Sequence, residues 1–255
     1  MKFRNILLFC VLWLLSSCTT IAQQRSQQVE LGLGGDSAVP VEVWPGNSAN
    51  RILWLMSDKG FSPGTKQLAT QLQRSGFEVW QADLLAAEFL SLLPSSIDKV
   101  DDDQLLKLVD AVLARDSKSL VLMADGHGAR LVTRAARVWR NKNQGRWSDR
   151  MTATVLISPI LYRATPAPGE EAEYIDSVGA AGGRQIIFQP QLSPYRWWID
   201  RTVSRLKDKA DSVTVVPLEG VRDRFYFRPD ANAPEQKLGR QFGDRIIRAL
   251  ADTNR

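Results

Sequence analysis

Histidine is almost missing from this chain: His127 is the only one in 255 residues. Cysteine is scarce too, and both copies, Cys10 and Cys18, fall among the first eighteen residues. Imidazole and thiolate ligands are therefore too few for a zinc-type centre, and the carboxylates follow no calcium-loop spacing. No metal and no cofactor is expected. Long apolar runs are absent as well. The longest near the amino terminus, Ile6 to Leu15, is about ten residues, half of what a bilayer crossing needs. Neither a Walker loop nor a dinucleotide glycine pattern occurs, and Gly126-His127-Gly128 is too short to count as one. The net charge of +5 is small and dispersed, and no nucleic-acid motif accompanies it. It reads as scattered, solvated arginine. What remains is a chain that is 44% hydrophobic, long enough for one large α/β domain and too short for two.

The amino terminus has its own logic. Lys2 and Arg4 form a cationic lead, the run from Ile6 follows, and then comes Leu15-Ser16-Ser17-Cys18. A short apolar core behind basic residues is the pattern of a secretory signal. The tetrapeptide resembles the bacterial lipobox, which implies cleavage after residue 17 and diacylglycerol and acyl modification of Cys18, palmitate among the expected chains. Only Cys18 would then remain, so an intrachain disulfide is excluded even in an oxidising compartment. Removing residues 1–17 lowers the net charge to +3, because Lys2 and Arg4 leave with them. Thr19, rather than Asp, follows Cys18, and by the same resemblance this favours the periplasmic face of the outer membrane. Residues 18–28, with four glutamines and no aromatic, read as a tether. The folded domain is expected over 29–255.

Within that domain strands and helices alternate. VELGL and VPVEVW flank Gly34-Gly35-Asp36-Ser37, a β-hairpin signal. An apolar strand over 51–56 follows, then a helix over 64–75 and a strand over 77–80. The segment 101–115 is a helix with Leu105, Leu108, Val109, Val112 and Leu113 on one face. Its leading Asp101-Asp102-Asp103 reads as a cap that offsets the helix dipole, not as a metal cluster. Strand 119–123, helix 128–142, strands 152–157 and 185–188, a helix from Pro194, strand 213–216 and a helix from about Pro234 complete the order. Such alternation implies a mainly parallel, doubly wound sheet.

The most informative stretch is SLVLMADGHGARLVTRAARV, residues 119–138, a buried strand that breaks through a sharp turn into a helix. Ala124-Asp125-Gly126-His127-Gly128 has the small-x-nucleophile-x-small spacing of a nucleophile elbow, with Gly126 where the nucleophile belongs. Leu55-Met56-Ser57-Asp58-Lys59-Gly60-Phe61 stands where an oxyanion turn would be, and Gly76 to Leu84 reads as the next strand. Together these segments resemble the α/β-hydrolase superfamily. The resemblance implies a three-layer α/β fold with a mainly parallel sheet and an amino-terminal β-hairpin.

The family's machinery does not carry over residue by residue. No carboxylate lies in Gln189-Pro190-Gln191-Leu192-Ser193, where the acid would follow its strand, and Arg222 or Asp223 stands near the place of the general base. Acyl transfer needs a nucleophile, a base and a carboxylate that orients the base, and all three expected places are empty. Ala124, Gly126 and Gly128 thus read as a vestigial elbow, glycine having relaxed the strain of that turn. The expectation is a non-catalytic envelope lipoprotein with a binding or assembly role, held at the membrane by its lipid. An envelope protein or an anionic or glycan ligand would be its partner, met by Ser57, Asp58, Arg222 and Arg224. The alternative is a noncanonical hydrolase of an ester, lipid or cell-wall substrate that uses Asp125, His127 or Ser57. Asp125 and His127 are otherwise expected to bond the turn and cap the helix after it. Residues 162–183 are either a lid or a solvent loop, and of Trp197-Trp198 one is expected to pack in the core, with the rim open to the other.

Overall fold

The computed structural model describes residues 26–35, 37–144, 150–167 and 169–252. The signal segment, Cys18 and most of the tether lie outside the described residues. The elements are β1 (Gln27–Gly34), β2 (Ser37–Trp44), β3 (Asn50–Leu55), α1 (Pro63–Arg74), β4 (Glu78–Ala82), α2 (Leu84–Ala87), α3 (Pro94–Ile97), α4 (Asp102–Ala114), β5 (Ser119–Asp125), α5 (Ala129–Lys142), β6 (Met151–Ile157), β7 (Gly183–Pro190), α6 (Ile199–Leu206), β8 (Ala210–Leu218) and α7 (Ala233–Ala251). One eight-stranded sheet runs in the order β1-β2-β4-β3-β5-β6-β7-β8. Strands β3 to β8 are mutually parallel, and the β1–β2 hairpin joins the edge at β4 antiparallel.

Two cores result, one on each sheet face. The inner strands read as continuous apolar runs, yet their side chains alternate strictly, as a pleated backbone demands. Ile52, Trp54, Val121, Met123, Ile186 and Phe188 join Leu68 and Leu72 of α1 and Phe242 and Ile246 of α7. Leu53, Leu55, Leu120, Leu122 and Ile187 face the other way, against α4 and α5. The five apolar residues expected on the inner face of α4 are all buried. The Asp101 side chain accepts from the Asp103 amide, so the acidic triplet is a cap and first turn.

Residues 162–183 run as exposed loop over 163–165, 167 and 169–171 and are packed down at both ends. Tyr162, Ile175, Val178 and Ala181 are buried, Tyr162 and Tyr174 are bridged, and the Ser177 hydroxyl lies 3.0 Å from that of Thr133 on α5. Arg130, also on α5, donates to the Ile160 and Tyr162 carbonyls and ties this flank down. Ser193 does cap a helix with Pro194 at its first position, but the helix is a 3-10 turn, and α6 begins only at Ile199. That turn faces solvent. Trp197 is 74% exposed beneath Arg196, whereas Trp198 packs toward Tyr162, so one ring turns inward and the other stands at the rim.

The cap of α7 fixes the loop after β8. Glu235 exchanges hydrogen bonds with Asn232 in a capping box and also accepts from the backbone and guanidinium of Arg222. Those Arg222 bonds outweigh the opposing effect of burial and hold the Glu235 carboxyl at about 2, against an ordinary 4.5. A lowered folded-state pKa stabilises above the ordinary value, and that stability is lost as pH falls through about 2. Glu235→Gln should therefore lower the urea midpoint at pH 6, with the gap to the parent narrowing toward pH 2.5. An equal gap at both pH values would show that the ion pair contributes nothing.

Candidate active site

The turn after β5 keeps the elbow backbone. Gly126 has φ 48°, in the left-handed region, and a Cβ added there would meet nothing within 4 Å. At Gly128 the reverse holds, since an added Cβ would lie 3.2 Å from Ala124 Cβ, Leu55 O and Ser57 Cβ. The two glycines do different work. Gly128 lets the helix approach β3, while Gly126 leaves open a place that a side chain would fit.

Above that turn is a cleft of about 200 Å³, at the carboxyl ends of β3, β5 and β6 and beneath the loops that follow β7 and β8. Open α/β sheets place their ligands at this edge. The Ser57–Gly60 turn, closed by the Gly60 amide on the Ser57 carbonyl, projects Asp58 and Lys59 into it. There His127 meets a partner. Its Nδ1 lies 3.1 Å from Asp58 Oδ1, and Lys59 Nζ approaches Asp58 Oδ2 at 2.8 Å, as an ion pair rather than an aligned hydrogen bond. Burial by itself would raise the Asp58 pKa, but the bonds and charges of His127 and Lys59 together outweigh it and hold the carboxyl at about 2. Asp58 is thus an acceptor at neutral pH, so Nδ1 carries the proton and Nε2 the lone pair. His127 neither caps α5 nor braces the turn.

Asp125 is no cap either. It is buried, accepts from the Tyr226 hydroxyl at 2.7 Å, and is pushed above the usual carboxylate range by that burial. Burial and the Asp125 charge likewise hold the Tyr226 phenol protonated, well above its ordinary pKa. Ser57 accepts from the Lys59 amide and also bonds to Asp125. Arg224 lines the cleft with φ 58° and pairs with Asp223. Arg222 does not line it; its guanidinium is spent on Glu235 and Asp230. Of the residues expected to meet a ligand, the cleft gathers Ser57, Asp58 and Arg224 and leaves Arg222 out.

Sequence reasoning missed Ser158. It ends β6 at the cleft wall, is buried, and has φ 46° although it precedes proline, which disfavours helical backbone. Its amide donates to Phe188 O and the Ile160 amide to Gly126 O, so the strained exit of β6 is tied to the elbow. The Ser158 hydroxyl lies 3.5 Å from that of Ser193, which itself caps Tyr195. Positive φ at a serine before proline was its only signal, and no sequence displays that. Among the described residues, no group of three or more His, Cys, Asp or Glu is placed to hold a metal.

No protein-family model matches the chain, and no curated protein does. Solved structures do. Carboxyl esterase 2 from the mycorrhizal fungus Tuber melanosporum superposes with a TM-score of 0.65 at 15% identity, covering 92% of this chain and 89% of that one. The thermostable carboxylesterase EstE1, cloned from a metagenomic library, gives 0.61 at 14%, with 89% of each chain covered. The fold is that of the α/β-hydrolases. An esterase from the archaeon Pyrobaculum calidifontis gives 0.62 at 13% identity, covering 89% of this chain and 86% of its own. At such identities the likeness concerns the fold, and the chemistry has to be read from the cleft.

Proposed function

We propose that this α/β-hydrolase-fold chain is an ester hydrolase whose general base has moved from the loop after β8 to the elbow turn. The observation that carries this reading is the Asp58–His127 pair at the mouth of the cleft. An ionised carboxylate orients the imidazole and leaves Nε2 to take a proton, which is the role of the acid and base in a hydrolytic triad. Of the two serines that line the cleft, Ser57 is bound to the Lys59 amide and to Asp125, whereas Ser158 is held in a strained backbone with only a long contact to Ser193 behind it. Strain of this kind costs about 1–3 kcal/mol and marks functional positions.

Ser158 is therefore the nucleophile. Its Oγ bonds to the ester carbonyl carbon while its proton passes to His127 Nε2. The tetrahedral oxyanion collapses, the C–O bond breaks, and the leaving alkoxide takes that proton. Water then attacks the acyl-serine, giving one proton to His127, which returns it to Ser158. A fluorophosphonate probe should label Ser158, and Ser158→Ala and His127→Ala should each abolish the label. Label at another serine, with ester turnover kept in Ser158→Ala, would replace the nucleophile but keep the base. Neither label nor turnover of short p-nitrophenyl esters would overturn the hydrolase reading.

The second reading, a binding role without turnover, draws on Gly126, on the absence of a carboxylate directly after β7 and on the absence of a histidine after β8. It would use the same cleft.

A further inference from the structure

Seven large apolar side chains are exposed among the described residues, and they are not scattered. Phe61 lies in the β3–α1 loop, Phe89, Leu92 and Leu93 between α2 and α3, and Leu192 and Trp197 between β7 and α6. All six sit in connections at the carboxyl edge of the parallel strands, the edge that holds the cleft. Leu92 borders Gly60, next to cleft-lining Lys59, and the Leu192 amide bonds to Val221 in the loop after β8. The seventh, Val29, shares a hollow with Phe61.

Phe89 is the telling member. It ends α2 with φ 53°, a left-handed position that helices normally give to glycine, yet it is 97% exposed. A bulky residue in that conformation is strained, and no buried contact offsets the cost. The fold holds a phenyl ring out into solvent. Trp197, on the opposite rim, does the same from a 3-10 turn.

We infer that this rim docks the mouth of the cleft on a lipid surface. Separate protruding tips suit insertion among acyl chains, and aromatic rings with polar neighbours are at home in the headgroup layer. Charge does not drive it, since Lys59 and Arg224 on this edge are already paired with Asp58 and Asp223. The chain outside the described residues leads to the same occupant. Ser26 enters the fold bonded to Glu42, in the hollow that holds Phe61. Only eight residues separate it from Cys18, a span of at most about 28 Å. A lipid at Cys18 would thus hold the rim within reach of the membrane. If the hydrolase reading holds, the substrate is an ester borne by that surface; docking itself is read without turnover and stands apart from it.

The test uses the chain from residue 18 onward with Cys18→Ser, so that neither the apolar run Ile6–Leu15 nor an acyl chain contributes, and phosphatidylcholine vesicles. Phe89→Ser, Leu92→Ser and Trp197→Ser combined should weaken vesicle partitioning by roughly tenfold or more. Lipids brominated near the headgroup should quench tryptophan emission in the parent and less in Trp197→Phe. Unchanged partitioning of the triple variant would overturn the proposal. So would binding only to anionic vesicles, or self-association of the chain that the triple variant abolishes.

Discussion

Replacing Gly64 by alanine should destabilise the protein by about 3 kcal/mol or more and empty the cleft of its geometry. Gly64 is the second residue of α1, behind the Ser62 cap and Pro63, and its Cα faces the loop that follows β8. A methyl there would lie 2.3 Å from Tyr226 O and 2.4 and 2.5 Å from Phe227 Cβ and Cα. Two of those three atoms belong to backbone and cannot swing aside. The loop cannot retreat freely either, because Tyr226 bonds Asp125 while Arg222 is locked to Glu235. The strain must fall on α1 or on the Tyr226–Asp125 bond. Gly126→Ala is the control. Its added methyl meets nothing, so only the left-handed backbone opposes it, at about 1–2 kcal/mol. Urea denaturation of both variants checks the ranking. A Gly64→Ala midpoint equal to that of Gly126→Ala would show that the α1 contact with the 226–227 loop is loose.

Most of the architecture was legible because its signals are local. The inner face of α4, the elbow spacing at 124–128 and the hairpin around Gly34 each need only a window of a dozen residues. Topology rules for parallel strands then supply the rest. The cleft was harder to read, because its contacts join distant segments. His127 and Asp58 are 69 residues apart, and Tyr226 and Asp125 are 101 apart. His127 stands on the elbow turn, outside the usual order of triad elements, and its pairing with Asp58 emerges only when the turns after β3 and β5 are brought together. Asp58 was visible in the turn before Gly60, but nothing in the sequence said that its carboxylate would face inward. The charge of Arg222 invited a ligand, while the acceptor it already had, Glu235, belonged to the cap of another element. The start of α6 was misplaced for a different reason. A serine cap followed by proline opens a 3-10 turn as readily as an α-helix, and the two send adjacent side chains in different directions.

His127→Ala should lower kcat for ester hydrolysis by about 10³–10⁴-fold with little change in stability, because the ring sits at a cleft wall rather than in either core. Asp58→Asn is the more discriminating change. Asparagine keeps the volume, but its amide can donate to Nδ1 and so favour the tautomer whose lone pair points away from the nucleophile. A loss of about 10²–10⁴-fold in kcat with KM held is expected, since the acid acts on the transition state and not on binding. Asp58→Glu should recover part of it. The pH dependence carries a sign as well. Asp58 is held at about 2, against an ordinary 3.8, so its ionised form persists well below neutrality. Its contribution to folding is present above about 3.8 and fades only as pH falls through about 2. An acid limb in kcat/KM above pH 5 therefore does not belong to Asp58. If Asp58→Asn turns over esters like the parent, the carboxylate does not orient the ring. The base would then act without an orienting acid, and the role assigned to Asp58 would fall.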